Sequence, residues 1–407
     1  MDVSTNMPLS SIKVVDLSHY LAAPYCASIL ADMGADVIRV EHIGGSADRG
    51  LAPLGEHSDG AIYLQANRNK RSLALDITPI AGRKVFERLV ASADIVITNL
   101  PVGELRRRKL DYSTLRECKQ DIITANVSAF GSTSSLRDRV GFDGVGQAMN
   151  GSAYLSGGEE LPRRTASSYV DYGTGLAAAV GILSALLLRH HTGKGQDVQA
   201  SLLQTALTFT NAFVIEEAIL ALGRSPFGNR SPNSAPSDIY RTLDGHIMVQ
   251  AIGSKMFARW ATLVGRPDLI DREDLSDDPK RGKNGEMLSK IMNDWVLERS
   301  TAEALERLED FNIPAGPVYS PRQILADEQI RTGGYYDWVA HPGLADLVPL
   351  AAPIAQLSEL KKTGVDTAPL LGQHSREVVE DLGFTNSEID ELERQGVLQT
   401  SGCHISH

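Results

Sequence analysis

Five short runs rich in β-branched residues alternate with helical stretches over the first 127 residues, and that alternation is the tightest constraint on the fold. Residues 12–17, 35–41, 72–76, 94–98 and 122–127 read as strands. Between them, residues 20–33 and 79–93 carry helical spacing, the first closed by Gly34. A strand that returns to its sheet through a helix pairs in parallel with its neighbour, so the pattern predicts a doubly wound, Rossmann-like α/β sheet. In such sheets ligands gather outside the carboxyl ends of the strands, which directs attention to the loops after Val40, Thr98 and Val127. No G-x-G-x-x-G follows the first strand, and the Gly44-Gly45 pair is no substitute.

A second feature is the uncharged run 176–188, too rich in Ala and Leu for a surface loop, which reads as a buried helix. Asp171 stands at its mouth, just before the glycines at 173 and 175. A carboxylate at a helix start gains from the positive end of the macrodipole, so Asp171 can stay ionised as its water is removed. Two roles fit it: a plain N-terminal cap, or a functional carboxylate that the glycines let a ligand approach.

The length of 407 residues exceeds what one core usually supports. Composition changes at residues 223–236, a Pro, Gly, Ser and Asn-rich connector that follows a second apolar helix, residues 202–222. Beyond it, 238–242 and 246–251 read as a hairpin around Asp244-Gly245, then amphipathic helices run to about Phe311, 313–318 returns to loop, and the tail from Pro369 is mostly helical. The expected organisation is a large domain over 1–222, a smaller α+β domain over 223–325, and a C-terminal return to the large domain over 326–407.

A formal charge of −11 argues against nucleic acid or an anionic membrane as a partner. Cys26, Cys118 and Cys403 have spacings that suit neither a metal site nor a disulfide framework, which points to a reducing cytoplasm. The start of the chain lacks the pattern of a signal peptide, and the 176–188 run is shorter than a bilayer needs, so neither secretion nor a membrane span is expected. Within this acidic chain, residues 67–72 and 99–109 concentrate Arg and Lys at strand ends. They are either solvated basic faces or cradles for a phosphate-bearing ligand.

Taken together, residues 14–24, 34–41, 69–72, 191–195, Asp244-Gly245, 313–318 and 369–374 resemble, in order and spacing, the class III coenzyme A transferases of the CaiB/BaiF group. The resemblance runs from about residue 10 to residue 397. It implies a CoA thioester as substrate with no tightly bound cofactor, and a ring-shaped chain interlocked with a second copy as a homodimer. It also implies that Asp171 is the nucleophile. Carried over residue by residue, His19, Tyr20 and Leu21 fall where the family contacts the adenine and pantetheine arm, and Asn99, Leu100 and Arg107 where it holds CoA. Lys70 and Arg71 match the stretch that approaches the ADP phosphates, while Asp143 and Gln147 match positions lining the catalytic pocket. His42 replaces an Arg of the formyl-CoA transferases, and the glycine-rich flap of those enzymes is missing between Ser237 and Ile252.

The implied activity is transfer of CoA from a donor such as succinyl-CoA to a small carboxylic acid, expected to be dicarboxylic, through aspartyl anhydride and aspartyl-CoA intermediates. A 2-methylacyl-CoA racemase on the same scaffold is the alternative, and a CoA-binding module without catalysis a third. Racemases of the family carry His where this chain has Phe142, which cannot exchange protons. A free carboxylate at the far end of an acyl chain requires a cation in a dry pocket, for which Arg164 and Arg230 are the candidates. Backbone amides near Gly173 to Gly175 are candidates for stabilising oxyanions.

Overall fold

A computed structural model of the chain describes residues 7–55, 59–158, 161–360 and 364–400. It divides into two compact units: Met1–Asn150, Ala166–Phe213 and Gly334–His407 form the first, Gly151–Thr165 and Val214–Gly333 the second. The second unit thus begins before the connector at Gly223 and also takes in residues 151–165. Cys403 lies outside the described residues.

The first unit is built in chain order from β1 (Lys13–Asp16), α1 (Ala22–Asp32), β2 (Asp36–Glu41), α2 (Ala61–Asn67), β3 (Arg71–Leu75), α3 (Ile80–Ser92), β4 (Ile95–Thr98), α4 (Val102–Arg107), α5 (Tyr112–Cys118), β5 (Ile123–Ser128) and α6 (Asp143–Met149). After α7 (Ser152–Leu155), which belongs to the second unit, come α8 (Tyr169–Thr192), β6 (Asp197–Ser201) and α9 (Leu202–Leu220). One sheet holds the strands in the order β3-β2-β1-β4-β5-β6, all parallel, and a late strand, Leu398–Gln399, adds an antiparallel edge beside β3. Sequence patterns miss both edges, β6 and Leu398–Gln399, because each is short and half-polar and is a strand only through its neighbour.

Alternation along the strands places a core on each face of the sheet. Val14, Val37, Ile95 and Ile97 point to one side and pack with α1 and α8. Val15, Ile38, Val40 and Val96 point to the other, with α3 and the C-terminal helices Ser375–Asp381 and Asn386–Arg394. At the crossing of α1 and α8, a Cβ on Gly175 would lie 2.6 Å from the Ala22 carbonyl oxygen, so the two helices approach this closely only because residue 175 has no side chain. The helix α8 is 24 residues long, more than the apolar run it contains, and by length and composition alone it could cross a membrane. Its Val170, Ala178, Ala179, Ile182 and Ala185 are buried in the protein core.

In the second unit, β7 (Ser237–Arg241) and β8 (His246–Gln250) form the expected hairpin. Ala315–Pro317 is a third strand, β9, antiparallel to β8, where the sequence suggested a loop. Asp244 in the turn accepts hydrogen bonds from the Thr301 backbone and hydroxyl at 2.7 and 2.8 Å, fixing the hairpin to the helix Thr301–Asp310. Trp260, Phe257, Leu288 and Met292 fill the core beneath it. In the first unit again, β10 (Tyr336–Val339) and β11 (Val348–Ala351) pair as a hairpin of their own.

Candidate active site

The sheet order reverses between β1 and β4, and the connections that diverge there leave a crevice at the carboxyl ends of the strands. A cavity of about 260 Å³ occupies it, lined by His19–Ala22 after β1, Asn99–Pro101 after β4, Val127–Ala129 at the end of β5, and Asp171. The loops after Thr98 and Val127 contribute as expected. The loop after Val40 is replaced by the one after β1, because the switch point lies between β1 and β4 rather than at β2.

His19 and Tyr20 are held from both sides. The His19 backbone N–H donates to Asn99 Oδ1 at 3.1 Å, and Asn99 Nδ2 donates back to the His19 carbonyl at 2.7 Å. Tyr20 has φ of 72°, a left-handed conformation unusual outside glycine, and its N–H donates to Asp48 Oδ2 at 3.0 Å. Asp48 is fixed in turn by Arg39 at 2.9 and 3.0 Å. The Tyr20 ring meets Phe142 edge to face at 5.2 Å, and both line the cavity. Burial, with Arg39 nearby, lowers the His19 pKa and favours the neutral imidazole, whose buried Nδ1 has no hydrogen-bond partner among the described residues.

Asp171 is the third residue of α8, and the free amides of that helix start go elsewhere. Asp143 Oδ1 accepts from the N–H groups of Val170 at 2.8 Å and Asp171 at 3.2 Å, while Gln147 Nε2 donates to Asp143 Oδ2 at 2.5 Å. The cap of α8 is therefore Asp143, brought from α6, and Asp171 is left without those donors. Asp143 and Gln147 are buried and support the wall of the cavity rather than lining it. Burial pushes the Asp171 carboxyl up, the Asp143 charge adds to it, and the result is a pKa of about 7. The helix start therefore does not hold the Asp171 carboxyl near the ordinary aspartate value, because the amides that would stabilise its charge are taken by Asp143. Gly173 and Gly175 lie inside α8, where backbone bonding has already begun with Tyr172 N–H donating to the Ser168 carbonyl, so their amides are not oxyanion donors.

Seven predicted residues thus meet around one cavity: His19, Tyr20, Leu21, Asn99, Leu100, Phe142 and Asp171. Others do not. Lys70 is buried, with its ammonium 2.7 Å from Asp16, 2.8 Å from the Pro24 carbonyl and 2.9 Å from Asn67, and burial lowers its pKa to about 8. Arg71 turns to Asp36, the first residue of β2, and to Glu377, away from the carboxyl ends of the strands. The two cations expected at the phosphates are therefore internal wiring. His42 is exposed, with Nδ1 accepting from Gly44 N–H at 3.2 Å, and Arg107 is exposed and paired with Glu104. Arg164 and Arg230 belong to the second unit; Arg164 is exposed, and Arg230 lines an open groove of about 710 Å³ with Arg224 and Lys283. Sequence reasoning missed Arg137 and Arg139, which line the Asp171 cavity. The signal was present, since both follow Val127 in a loop already marked by the strand-end rule.

The profile of CoA-transferase family III matches residues 9–375. The chain belongs to that family. As a CoA-transferase it is similar to the succinyl-CoA–L-malate CoA-transferase beta subunit of Chloroflexus aurantiacus, 30% identical over 404 residues that cover 97% of this chain and 99% of that protein. It is also similar to the succinyl-CoA:glutarate CoA-transferase of Homo sapiens, 29% identical with 99% and 92% covered. The crystal structure of a CaiB/BaiF family protein from Brucella suis superposes on this transferase with a TM-score of 0.80 at 28% identity, covering 93% of this chain and 100% of that one.

Proposed function

We propose that this transferase moves CoA from succinyl-CoA to a small dicarboxylic acid, with Asp171 as the nucleophile. The observation that carries the proposal is the carboxylate of Asp171, half-buried in the switch-point cavity with no cation paired to it among the described residues. The donors in the names of the malate and glutarate relatives support succinyl-CoA, and their acceptors support a dicarboxylate.

The Asp171 carboxylate attacks the thioester carbonyl of the donor; the C–S bond breaks, CoA leaves as thiolate, and a mixed anhydride remains. The thiolate then attacks the aspartyl carbonyl, expelling succinate and leaving an aspartyl-CoA thioester. The acceptor carboxylate attacks that thioester and releases the thiolate again. Attack of the thiolate on the acyl carbonyl of the second anhydride gives the product thioester and restores the carboxylate. Every intermediate is open to hydrolysis, and Leu21, Leu100, Leu202 and the Tyr20–Phe142 pair give the cavity an apolar lining against water. Phe142 brings no titratable atom to the cavity, which disfavours racemisation.

Arg164 and Arg230 are the guanidiniums proposed to read the far carboxylate of the acid. A homodimer is part of the same reading: Val180 and Leu187 on α8, and Phe209, Ile215 and Ile219 on α9, are 50% exposed or more in the single chain. A donor and acceptor panel followed by mass spectrometry of the CoA esters, on protein whose mass in solution is measured alongside, tests both. C4 to C6 dicarboxylates are the expected acceptors, with selectivity weakened in Arg164→Met or Arg230→Met. Preference for monocarboxylates removes the substrate assignment, and a folded monomer removes the dimer.

A further inference from the structure

We infer that Arg39 and Asp48 are positioning residues for the transfer: buried beneath the cavity, they hold Tyr20 so that its ring, with that of Phe142, keeps water from the intermediates on Asp171. The inference rests on the covalent CoA-transferase reading and goes beyond it by naming what protects the aspartyl intermediates from hydrolysis.

The loop after β1 is pinned through its backbone, residue by residue, by side chains. Ser18 N–H donates to Asp16 Oδ1 at 3.0 Å, and the Ser18 carbonyl accepts from Arg39 Nη1 at 3.2 Å. Asn99 takes both the N–H and the carbonyl of His19, and Asp48 takes the N–H of Tyr20. Arg39 Nη2 in turn donates to both oxygens of Asp48, and neither side chain is exposed. Arg39 thus acts on the loop twice, directly at Ser18 and through Asp48 at Tyr20. Tyr20 lies at φ 72°, a conformation that a residue with a side chain keeps only where its surroundings over-determine it. The bonds to Ser18, His19 and Tyr20 do so. A buried ion pair is weak grounds for stability, since apolar side chains of the same shape can serve as well, but a pair that fixes a strained loop has a reason to be ionic.

The strained residue serves the cavity. Tyr20 comes from the loop after β1 and Phe142 from the residue before α6, so their edge-to-face contact bridges two walls. Both rings line the cavity and yet are 39% and 50% exposed, which places them at its rim. Water that passes this rim can add to the aspartyl carbonyl of the aspartyl-CoA thioester. The C–S bond then breaks, CoA leaves as the thiol with one proton of the water, and the water oxygen remains on the restored Asp171 carboxyl. A displaced Tyr20 therefore shows itself as thioester hydrolysis without transfer.

The test supplies succinyl-CoA with deuterium-labelled succinate, counts labelled succinyl-CoA as transfer and net loss of thioester as hydrolysis, and follows urea unfolding alongside. Asp48→Asn keeps the shape but leaves one acceptor oxygen to serve Arg39 and Tyr20, and the ratio of hydrolysis to transfer is expected to rise about tenfold. Tyr20→Gly relieves the backbone and removes the ring, so the same rise is expected in a protein of undiminished stability. The double variant leaks no more than Tyr20→Gly, because Asp48 acts through Tyr20. Asp32→Asn weakens another buried pair, Asp32 with Arg68 at 2.6 Å, and lowers stability with the ratio unchanged. If wild type transfers no label, the underlying function fails. If wild type transfers and Tyr20→Gly keeps its ratio, or if Asp48→Asn loses stability alone or adds leakage on top of Tyr20→Gly, the positioning role is overturned.

Discussion

Two groups of carboxylates in the first unit are treated in opposite ways. Asp16, Glu41 and Asp48 are fully buried beside Lys70, Arg39 and Arg49, which are as deeply buried as they are. Burial by itself opposes the charge on Glu41, but Arg39 and Arg49 outweigh it and hold the carboxyl at about 2. Asp171 is less buried, has another carboxylate as its neighbour instead of a cation, and rises to about 7. Pairing makes a carboxylate part of the framework and takes away its reactivity. Leaving one unpaired keeps its lone pairs available for attack and makes its ionisation costly in the folded protein.

The largest expected effect is on Asp171. Asp171→Asn lowers the transfer rate about a thousandfold or more, roughly 4 kcal/mol in the barrier. The folded protein holds this proton up to about pH 7, whereas the ordinary aspartate value is 3.8, so ionisation opposes folding increasingly between those pH values. The variant is therefore at least as stable as wild type once the pH exceeds that folded value. Retained turnover ends the covalent mechanism.

Glu41→Gln is the converse and comes next in size. A partner removed from a buried, charged cluster leaves its guanidiniums uncompensated, at a cost of about 3–5 kcal/mol. Because the folded pKa of Glu41 is depressed, its contribution is present above the unfolded value and is lost as pH falls toward 2. Urea unfolding at neutral pH measures the loss; a change under about 1 kcal/mol would erase the distinction between the two groups.

The smallest effect sharpens the comparison within the Asp143–Asp171 pair. With Asp171 as the proposed nucleophile, wild-type kcat/KM is expected to fall about tenfold per pH unit below about 7, where the carboxyl is protonated. Asp143→Asn removes the like charge and moves that inflection to lower pH. A pH profile with an unmoved inflection shows that burial alone sets the Asp171 pKa.

The parallel sheet was legible in the sequence because β-branched runs and helical spacing are local properties. So were the segments of His19, Asn99 and Asp171 that the structure brings to one cavity, through motifs whose order along the chain is specific. The roles of individual charges were not legible. Residues 67–72 read as either a solvated basic face or a phosphate cradle, yet Lys70 meets Asp16 across 54 positions and Arg71 meets Glu377 across 306, and those distant partners decide what each cation does. Arg137 and Arg139, unremarkable in a polar loop, line the cavity because β5 ends beside the switch point. The sequence determined which residues carry charge and which segments form the sheet. The tertiary structure decided which charges are neutralised, since a pKa depends on the water removed and the ions brought near, and both come from parts of the chain far apart in sequence.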